Sequence, residues 1–133
     1  MERETGLRNT LKFSLHKVLG KGEQDDLVAV DASSGRAIGV ASVGPQGDEG
    51  VAWVSKVFVA RAARRRGVGR ALMNALHDAA RARGYREIGL RTRVVFVEAI
   101  ALYEAHGYAR REDPSAVLES GDVVYYRLVP PAV

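Results

Sequence analysis

The pattern of apolar and polar positions predicts strands in the first half of the chain. Apolar residues cluster at 27–30 and 37–43, and the turn-forming residues Ala, Ser, Ser and Gly at 32–35 lie between the two runs. Two short apolar runs around a Gly-containing turn are typical of a β-hairpin. After a second break at 44–47, the Val-rich segment Val51–Val59 predicts a long strand that is buried for most of its length.

The apolar period changes from two to 3.6 residues at Gly67, which predicts a helix. The apolar stripe recurs at spacings of three and four residues over 68–80. Gly84 is expected to end this helix, because glycine enters the left-handed conformation without a steric cost. The pattern then predicts a strand over 86–92, a second helix over about 98–106 that ends at Gly107, and two last strands near 108–112 and 123–129.

The order of these elements predicts a mixed sheet of the α/β (α+β) class. A strand, a helix and a strand in succession require a crossover connection, so the strands at 51–59 and 86–92 are expected to be parallel neighbours. We expect this central parallel pair to lie in a sheet with helices on both faces. The opening segment fits either a helix or a strand, and its apolar stripe over 7–19 favours the helix.

Composition indicates a globular protein. The chain has 133 residues, 47% of them hydrophobic, and its 20 Lys and Arg against 16 Asp and Glu give a formal net charge of +4. This length predicts one domain over 1–133. The absence of cysteine excludes thiolate metal sites, the three histidines show no metal-ligand spacing, and no apolar run reaches the roughly 20 residues of a membrane span. We therefore expect a cytoplasmic protein with no metal and no membrane contact.

A basic segment that contains two glycines lies between the predicted long strand and the first predicted helix. Residues 64–70 have the sequence Arg-Arg-Arg-Gly-Val-Gly-Arg. The unpaired N–H groups and the positive dipole end of a helix start attract anions. Gly67 and Gly69 let a phosphate approach the main chain closely, and the arginines add positive charge. The segment is therefore a candidate phosphate-binding loop.

Two common nucleotide-binding motifs do not fit this loop. A P-loop ends in Gly-Lys followed by Ser or Thr, whereas Gly69 is followed by Arg70 and Ala71. A Rossmann fingerprint requires a third small residue, and Leu72 occupies that position. The loop therefore belongs to neither class.

The loop does fit the signature Arg/Gln-x-x-Gly-x-Gly/Ala, through Arg64, Gly67 and Gly69. In this it resembles the GNAT superfamily of acetyl-CoA-dependent N-acetyltransferases. A second block over 99–108 is similar to the family's helix Ala-x-x-x-Tyr-x-x-x-Gly-Phe/Tyr, with Tyr103 at the tyrosine position. Two ordered blocks at the right separation are more specific than either alone, and the resemblance covers about residues 27–108.

The resemblance implies a GNAT-like enzyme that transfers an acetyl group from acetyl-CoA to an amine by direct attack in a ternary complex. It implies that the pyrophosphate of coenzyme A lies on the N–H groups of 65–70, and that the pantetheine arm pairs with the backbone of 57–59. Tyr103 is then the catalytic proton donor to the departing thiolate, and a backbone N–H near 57–59 stabilises the oxyanion. The implied cofactor-binding residues are Val57, Phe58, Val59, Arg64, Arg65, Arg66, Gly67, Val68, Gly69 and Arg70.

Three features depart from the family pattern. Phe96 stands where the family often has Asn, which removes one polar contact to the cofactor. No Asp or Glu lies between 51 and 59 to act as a strand-borne base, so Glu49, Glu98, a bound water and deprotonation in solvent all stay open. The N-terminal region is short, so the family's first strand and helix are expected to be missing or reduced.

Two other functions stay open. The arginines over 61–70 and 81–93 also suit a basic nucleic-acid-binding module, although they are not interleaved with the stacking aromatics of single-strand binders. The missing strand carboxylate and Phe96 also suit a GNAT-like domain that binds acyl-CoA without turnover. We favour the enzyme, with a small-molecule or peptide amine as acceptor. A homodimer formed through the terminal strands is a further hypothesis.

Overall fold

The computed structural model describes residues 12–19, 22–113 and 118–131. Its strands are β1 (Phe13–Leu19), β2 (Asp25–Asp31), β3 (Ala37–Pro45), β4 (Val51–Val59), β5 (Glu87–Arg93), β6 (Ala109–Arg110) and β7 (Asp122–Leu128). Its helices are α1 (Val68–Ala82) and α2 (Val97–Ala105), and a 3₁₀ turn occupies Arg61–Ala63. The strands form one sheet in the order β1-β2-β3-β4-β5-β7-β6.

The mixed α/β class and most of the predicted elements are confirmed. β2 and β3 form the antiparallel hairpin, and the N–H of Gly35 donates to the carbonyl of Asp31 at 2.9 Å to close the turn. β4 has the bounds that the sequence predicts. α1 is followed by Gly84, whose φ of 83° is the left-handed conformation expected after a helix end.

The prediction of a helix in the opening segment is wrong for residues 13–19. These residues form β1, an edge strand in antiparallel register with the whole of β2, from Phe13 opposite Asp31 to Leu19 opposite Asp25. The side chains of residues 14–18 are exposed, so this described part of the apolar stripe has no packing that would stabilise a helix. Main-chain pairing with the free edge of β2 therefore decides the conformation. Residues 1–11 lie outside the described part of the chain.

β4 and β5 form the predicted parallel pair only at their beginnings. Pairing joins residues 51–54 to residues 87–90 and stops there, while β4 continues along β3 to Val59. The register between β3 and β4 shifts at the same place, so that Ser55 is an extra residue in β4. A bulge of this kind bends its strand. The two strands therefore separate beyond Val54, and no strand in the described part of the chain pairs with the edge of β4 over 55–59 on the β5 side.

Both helices pack on one face of the sheet, which we call the helix face. α1 lies against β2, β3 and β4. Gly39 permits this approach, because a Cβ at that position would lie 2.9 Å from Val68 Cγ1. α2 lies beside α1, and its Tyr103 belongs to the same buried cluster as Leu72 and Leu76 of α1. This placement follows from topology, because right-handed crossovers that step in one direction across a sheet put their helices on the same side.

The described residues place no helix on the other face, which differs from the predicted arrangement of helices on both. This open face carries alternate residues of the same strands, including Trp53 of β4 and Tyr126 of β7. Their rings meet edge to face with centroids 6.1 Å apart. They meet over Gly89 of β5, where a Cβ would lie 2.7 Å from Trp53 and 2.6 Å from Tyr126. Only glycine at this position lets the two rings close over the sheet.

The apolar terminal strand β7 lies inside the sheet, between β5 and the two-residue strand β6. Val123, Val124, Tyr125 and Tyr126 are buried there. Core packing thus accounts for the apolar character of this segment. Dimerisation through the terminal strands stays a prediction.

Candidate active site

The residues between β4 and α1 form a tight basic loop. α1 begins at Val68, and its N-cap Gly67 has a left-handed φ of 82°. Arg65 is left-handed as well, with a φ of 69°. No side chain caps the start of α1. The first N–H groups of the helix therefore lack intrahelical partners and are free to bind an anion at the positive end of the helix dipole.

This loop borders an open cavity of about 1150 Å³. Its walls come from the end of β4, the loop, the β5–α2 connection and α2. The structure brings nearly all of the predicted site residues together around it: Val57, Phe58, Val59, Arg64, Arg65, Gly67, Val68, Gly69, Arg70 and Tyr103. Of the predicted site residues, only Arg66 is not part of the lining.

The charge of the cavity wall is strongly positive. Its charged residues are Arg61, Arg64, Arg65, Arg70 and Glu98. The Arg64 Nε donates to the carbonyl of Val59 at 3.4 Å, which places this guanidinium at the end of β4. Four arginines against one glutamate at an uncapped helix start form a site for a phosphate-containing ligand.

Arg66 points away from the cavity. Its Nη2 lies 2.7 Å from Asp31 Oδ1, at the end of β2, and also donates to the carbonyl of Lys12 at 3.1 Å. The side chain therefore holds the loop against the sheet and does not face a ligand in the cavity. Only the main-chain N–H of Arg66 is left for the predicted contact with the cofactor.

The unpaired edge of β4 reaches the same cavity through Val57, Phe58 and Val59. Free main-chain N–H and C=O groups on a strand edge pair with an extended ligand that carries amides. The pantetheine arm of coenzyme A is such a ligand. The separation of β4 from β5 thus creates the binding edge that the resemblance implies.

Tyr103 projects from α2 into the cavity wall and is only 8% exposed. Burial raises the pKa of its phenol above the usual 10. Its ring lies 6.0 Å from the ring of Tyr108, which is buried as well. Tyr103 is therefore protonated near neutral pH and has a proton to donate.

Sequence reasoning placed Phe96 beside the cofactor but missed its neighbours Val95 and Val97, which form an apolar wall with it in the β5–α2 connection. Val95, Phe96 and Val97 line the cavity, and they are 66%, 52% and 69% exposed. The crossover topology carried the signal, because the end of β5 and the start of α2 must lie at the same sheet edge as the start of α1. The wall is apolar at the position where the family often has Asn.

The donor groups around the cavity fit coenzyme A. Main-chain N–H groups and arginines lie at one end, the unpaired edge of β4 follows, and a protonated phenol completes the wall. Gly69 lies close to α2, since a Cβ at this position would be 3.4 Å from Leu102 Cδ2. Within 12–19, 22–113 and 118–131, no three His, Asp or Glu side chains gather as a metal site would require.

A sequence model of the acetyltransferase (GNAT) family matches residues 5–108, which is most of the chain. The chain belongs to the GNAT family. It is accordingly an acyltransferase, and GNAT acyltransferases move an acyl group from acyl-CoA to an amine. No curated protein sequence matches the chain significantly.

Solved GNAT structures share this fold at low sequence identity. A Klebsiella pneumoniae protein described as an acyl-CoA N-acyltransferase has a TM-score of 0.79 at 19% identity, over 88% of this chain and 97% of its own. A GNAT acetyltransferase from Elizabethkingia anophelis, solved with acetyl-CoA bound, has a TM-score of 0.70 at 14% identity, over 88% and 98%. The ribosomal-protein-S18-alanine N-acetyltransferase of Escherichia coli has a TM-score of 0.67 at 22% identity, over 86% and 74%. These likenesses establish the GNAT fold.

Within the described ranges, neither α1 nor α2 combines the length and the apolar character that a membrane-spanning helix needs.

Proposed function

We propose that this enzyme transfers an acetyl group from acetyl-CoA to an amine by direct attack in a ternary complex. One observation carries the proposal: a single cavity joins the uncapped start of α1, the unpaired edge of β4 and the buried phenol of Tyr103. These three features supply, in order, a site for a pyrophosphate, partners for an amide-containing arm and a proton donor for a leaving group.

The donor end of the site is formed by the loop. In our proposal the main-chain N–H groups over 65–70 bind the pyrophosphate, and Arg64, Arg65 and Arg70 balance its charge. The backbone of 57–59 pairs with the pantetheine amides, and the apolar wall at 95–97 covers the arm. This arrangement directs the thioester toward Tyr103.

The transfer step uses the phenol and the strand edge. The amine nitrogen attacks the thioester carbonyl carbon, and a main-chain N–H of β4 near 57–59 stabilises the oxyanion that forms. The carbon–sulfur bond then breaks, and the departing thiolate takes the proton of Tyr103. The amine loses its extra proton to water or a base, and solvent restores the phenol. No covalent enzyme intermediate is required.

The acceptor reaches the thioester from the open face in this proposal. The helix face beside the gap between β4 and β5 is filled by α1 and α2, whereas the open face carries Trp53 and Tyr126. The hydroxyl of Tyr126 donates to the carboxylate of Asp113 there. The guanidinium of Arg111 already stacks on the Tyr126 ring, with its Cζ 3.5 Å from the ring centroid. Trp53 is therefore the aromatic side chain proposed to contact an amine that arrives as a cation.

The first test is a thermal unfolding scan with acetyl-CoA, with 3′-dephospho-CoA and with a short single-stranded oligonucleotide, each at two salt concentrations. A ligand of the native state present at about 100 times its Kd adds roughly 2.7 kcal/mol and raises the Tm by several degrees. We expect both coenzyme forms to stabilise the protein. Stabilisation by the oligonucleotide alone, lost at high salt, would contradict the proposal and favour a nucleic-acid-binding module.

The second test separates an enzyme from a domain that binds acyl-CoA without turnover. Free thiol is measured while acetyl-CoA is incubated with a panel of small amines and peptide N-termini. One structural neighbour is named for an N-terminal protein acceptor, which is the reason to include peptides. We expect thiol release that depends on the amine. Tight acetyl-CoA binding with no release above the buffer rate for any amine would contradict the transfer step.

A further inference from the structure

The loop that precedes α1 is held in a strained conformation. Arg65 and Gly67 are both left-handed, with φ of 69° and 82°, and Arg66 lies between them. Glycine adopts this conformation freely, but for arginine it is strained, because the Cβ crowds the backbone. Such a residue persists only where its surroundings hold it. The start of α1 has no side-chain cap to do so.

Arg66 supplies the missing restraint through its side chain. Its guanidinium lies 2.7 Å from Asp31 Oδ1 and donates to the carbonyl of Lys12 at 3.1 Å. The other carboxylate oxygen of Asp31 accepts from the hydroxyl of Ser33 at 2.9 Å and from the N–H of Ser34 at 2.8 Å. The Asp31 side chain is 12% exposed. The hairpin turn therefore fixes the carboxylate independently of its contact with Arg66.

Ionisation of Asp31 agrees with this geometry. The hydrogen bond from Arg66, followed by those from Ser34 and Ser33, holds the pKa of Asp31 well below its usual range. The carboxylate is thus charged at every pH at which the protein is expected to work, so protonation does not break its ion pair with Arg66 there.

We propose that Asp31 is a positioning residue for the donor site: through Arg66 it holds the 64–70 loop in the left-handed conformation that leaves the N–H groups available to the pyrophosphate. This inference rests on the proposed placement of the donor at that loop. Asp31 itself does not line the cavity and contacts no part of a ligand there.

The sign of the effect distinguishes positioning from simple electrostatics. Asp31 is a negative charge next to a site for a polyanion, so its direct effect on acetyl-CoA is repulsive. If charge alone mattered, Asp31→Asn would tighten binding. If Asp31 positions the loop, the same variant weakens binding, because the loop spends less time in the binding conformation.

The test measures the Kd of acetyl-CoA for the wild type and for Asp31→Asn by isothermal titration. We expect the Kd to rise about tenfold, while kcat at saturating acetyl-CoA changes less than twofold. Asp48→Asn is the matched control, since it removes the same charge from an exposed turn. It should leave the Kd unchanged.

A second measurement needs no ligand and uses the arginines of the loop as reporters. Trypsin cleaves after arginine, so the rate of cleavage within 64–70 reports how often the loop opens. We expect Asp31→Asn and Arg66→Met to speed this cleavage at least fivefold, with a smaller change at Arg36. Arg66→Met keeps the proposal testable from the other partner if Asp31→Asn does not fold.

A double-mutant cycle tests the strain directly. Arg65→Gly removes the cost of the left-handed conformation, so Asp31 has less to hold in that background. We expect Asp31→Asn to weaken acetyl-CoA binding less than threefold when Arg65 is glycine. An equal loss in both backgrounds would overturn the proposed route through Arg65.

The outcomes separate this inference from the proposed function. If the wild type binds no acetyl-CoA, the proposed function fails, and unchanged trypsin cleavage in Asp31→Asn would overturn the inference as well. If the wild type binds and Asp31→Asn binds equally or more tightly, the inference alone is overturned.

Discussion

At the scale of single residues, burial changes the pKa of two tyrosines near the cavity, Tyr103 and Tyr108. Tyr103 and Tyr108 are both buried phenols with raised pKa values, but Tyr103 alone of the two lines the cavity. The hydroxyl of Tyr108 lies 3.0 Å from Nε2 of His77. Position relative to the cavity is therefore the reason to propose Tyr103, and not Tyr108, as the proton donor.

Tyr103→Phe tests the proton donor. We expect kcat to fall about 100-fold, the lower end of the usual contribution of a general acid, with little change in the Kd of acetyl-CoA. Steady-state thiol release and isothermal titration give the two numbers. Tyr85→Phe is the control, because the pKa of that phenol is raised by burial too but it lies outside the cavity. Unchanged turnover in Tyr103→Phe would remove the residue from the acid role.

His77 couples the stability of the protein to pH. Its Nδ1 lies 2.8 Å from Nη1 of Arg127, which can only donate, so the neutral ring carries its proton on Nε2 and donates to Tyr108. Burial, and then the charge of Arg127, lower the pKa of His77 from 6.5 to about 4. Between pH 6.5 and about pH 4, His77 is therefore protonated in the unfolded chain but neutral in the folded chain. The free energy of unfolding should fall as pH drops through this window.

His77→Gln tests this coupling, because glutamine does not titrate. We expect the wild type to lose on the order of 2–3 kcal/mol of unfolding free energy from this residue between pH 7 and pH 4.5. Urea unfolding across that range measures it. The variant should be less stable at pH 7 but change less with pH. Exposed His16→Gln is the control, and an equal pH slope in His77→Gln and wild type would contradict the assignment.

Sequence predicts the residues of a motif better than the contacts that hold them. Gly67, Gly69 and Tyr103 follow from spacing within local blocks, and the structure places all three at one cavity. The orientation of Arg66 does not follow, because its partner Asp31 lies 35 positions away. Nothing in a run of three arginines indicates which of them turns toward the sheet.

At the scale of elements, the start of α1 is the proposed binding site for the pyrophosphate. Gly69 is the second residue of the helix, and a Cβ there would lie 3.4 Å from Leu102 Cδ2 and 3.9 Å from Val59 Cγ2. These are ordinary contacts, so the helix tolerates a methyl group. A longer acidic side chain would enter the space between α1 and α2, where the pyrophosphate is proposed to lie.

Gly69→Glu is therefore expected to abolish binding without harming the fold. A carboxylate in the first turn favours the helix dipole, so the Tm of the free protein should not fall much. The Kd of acetyl-CoA should rise at least 100-fold through bulk and like charge. Gly69→Ala, the control, should bind within a few-fold of the wild type. Normal binding by Gly69→Glu would show that the pyrophosphate lies elsewhere.

The sequence predicts the type of an element correctly where its apolar face packs against another element. It fails for the opening segment, whose described stripe residues are exposed. The stripe of α1 buries Val68, Leu72 and Leu76 against the sheet, and the predicted helix forms. The stripe of the opening segment has a similar period, but its described members Leu15 and Val18 are exposed. Its strand form is decided by the free edge of β2, which is a property of another part of the chain.

At the scale of the whole molecule, the described residues leave the two faces of the sheet unlike each other. α1 and α2 cover the helix face and line the cavity proposed for acetyl-CoA, whereas the open face carries the only tryptophan of the chain, Trp53. The sequence predicted helices on both faces because a sheet is usually covered on each. The direction of the two crossovers, which fixes both helices on one side, depends on strand order, and strand order is not readable from local pattern.

The division into two faces predicts that donor and acceptor binding respond to different variants. Trp53→Ala should raise the KM of the amine at least tenfold and leave the Kd of acetyl-CoA within twofold of the wild type. Asn74→Ala, an exposed change on α1, should alter neither. The amine is the acceptor found in the thiol-release screen, and the Tm of each variant checks that Trp53→Ala remains folded despite the lost contact with Tyr126. A loss of acetyl-CoA affinity with an unchanged amine KM would contradict the division into two faces, because Trp53 would then affect the donor site and not the acceptor.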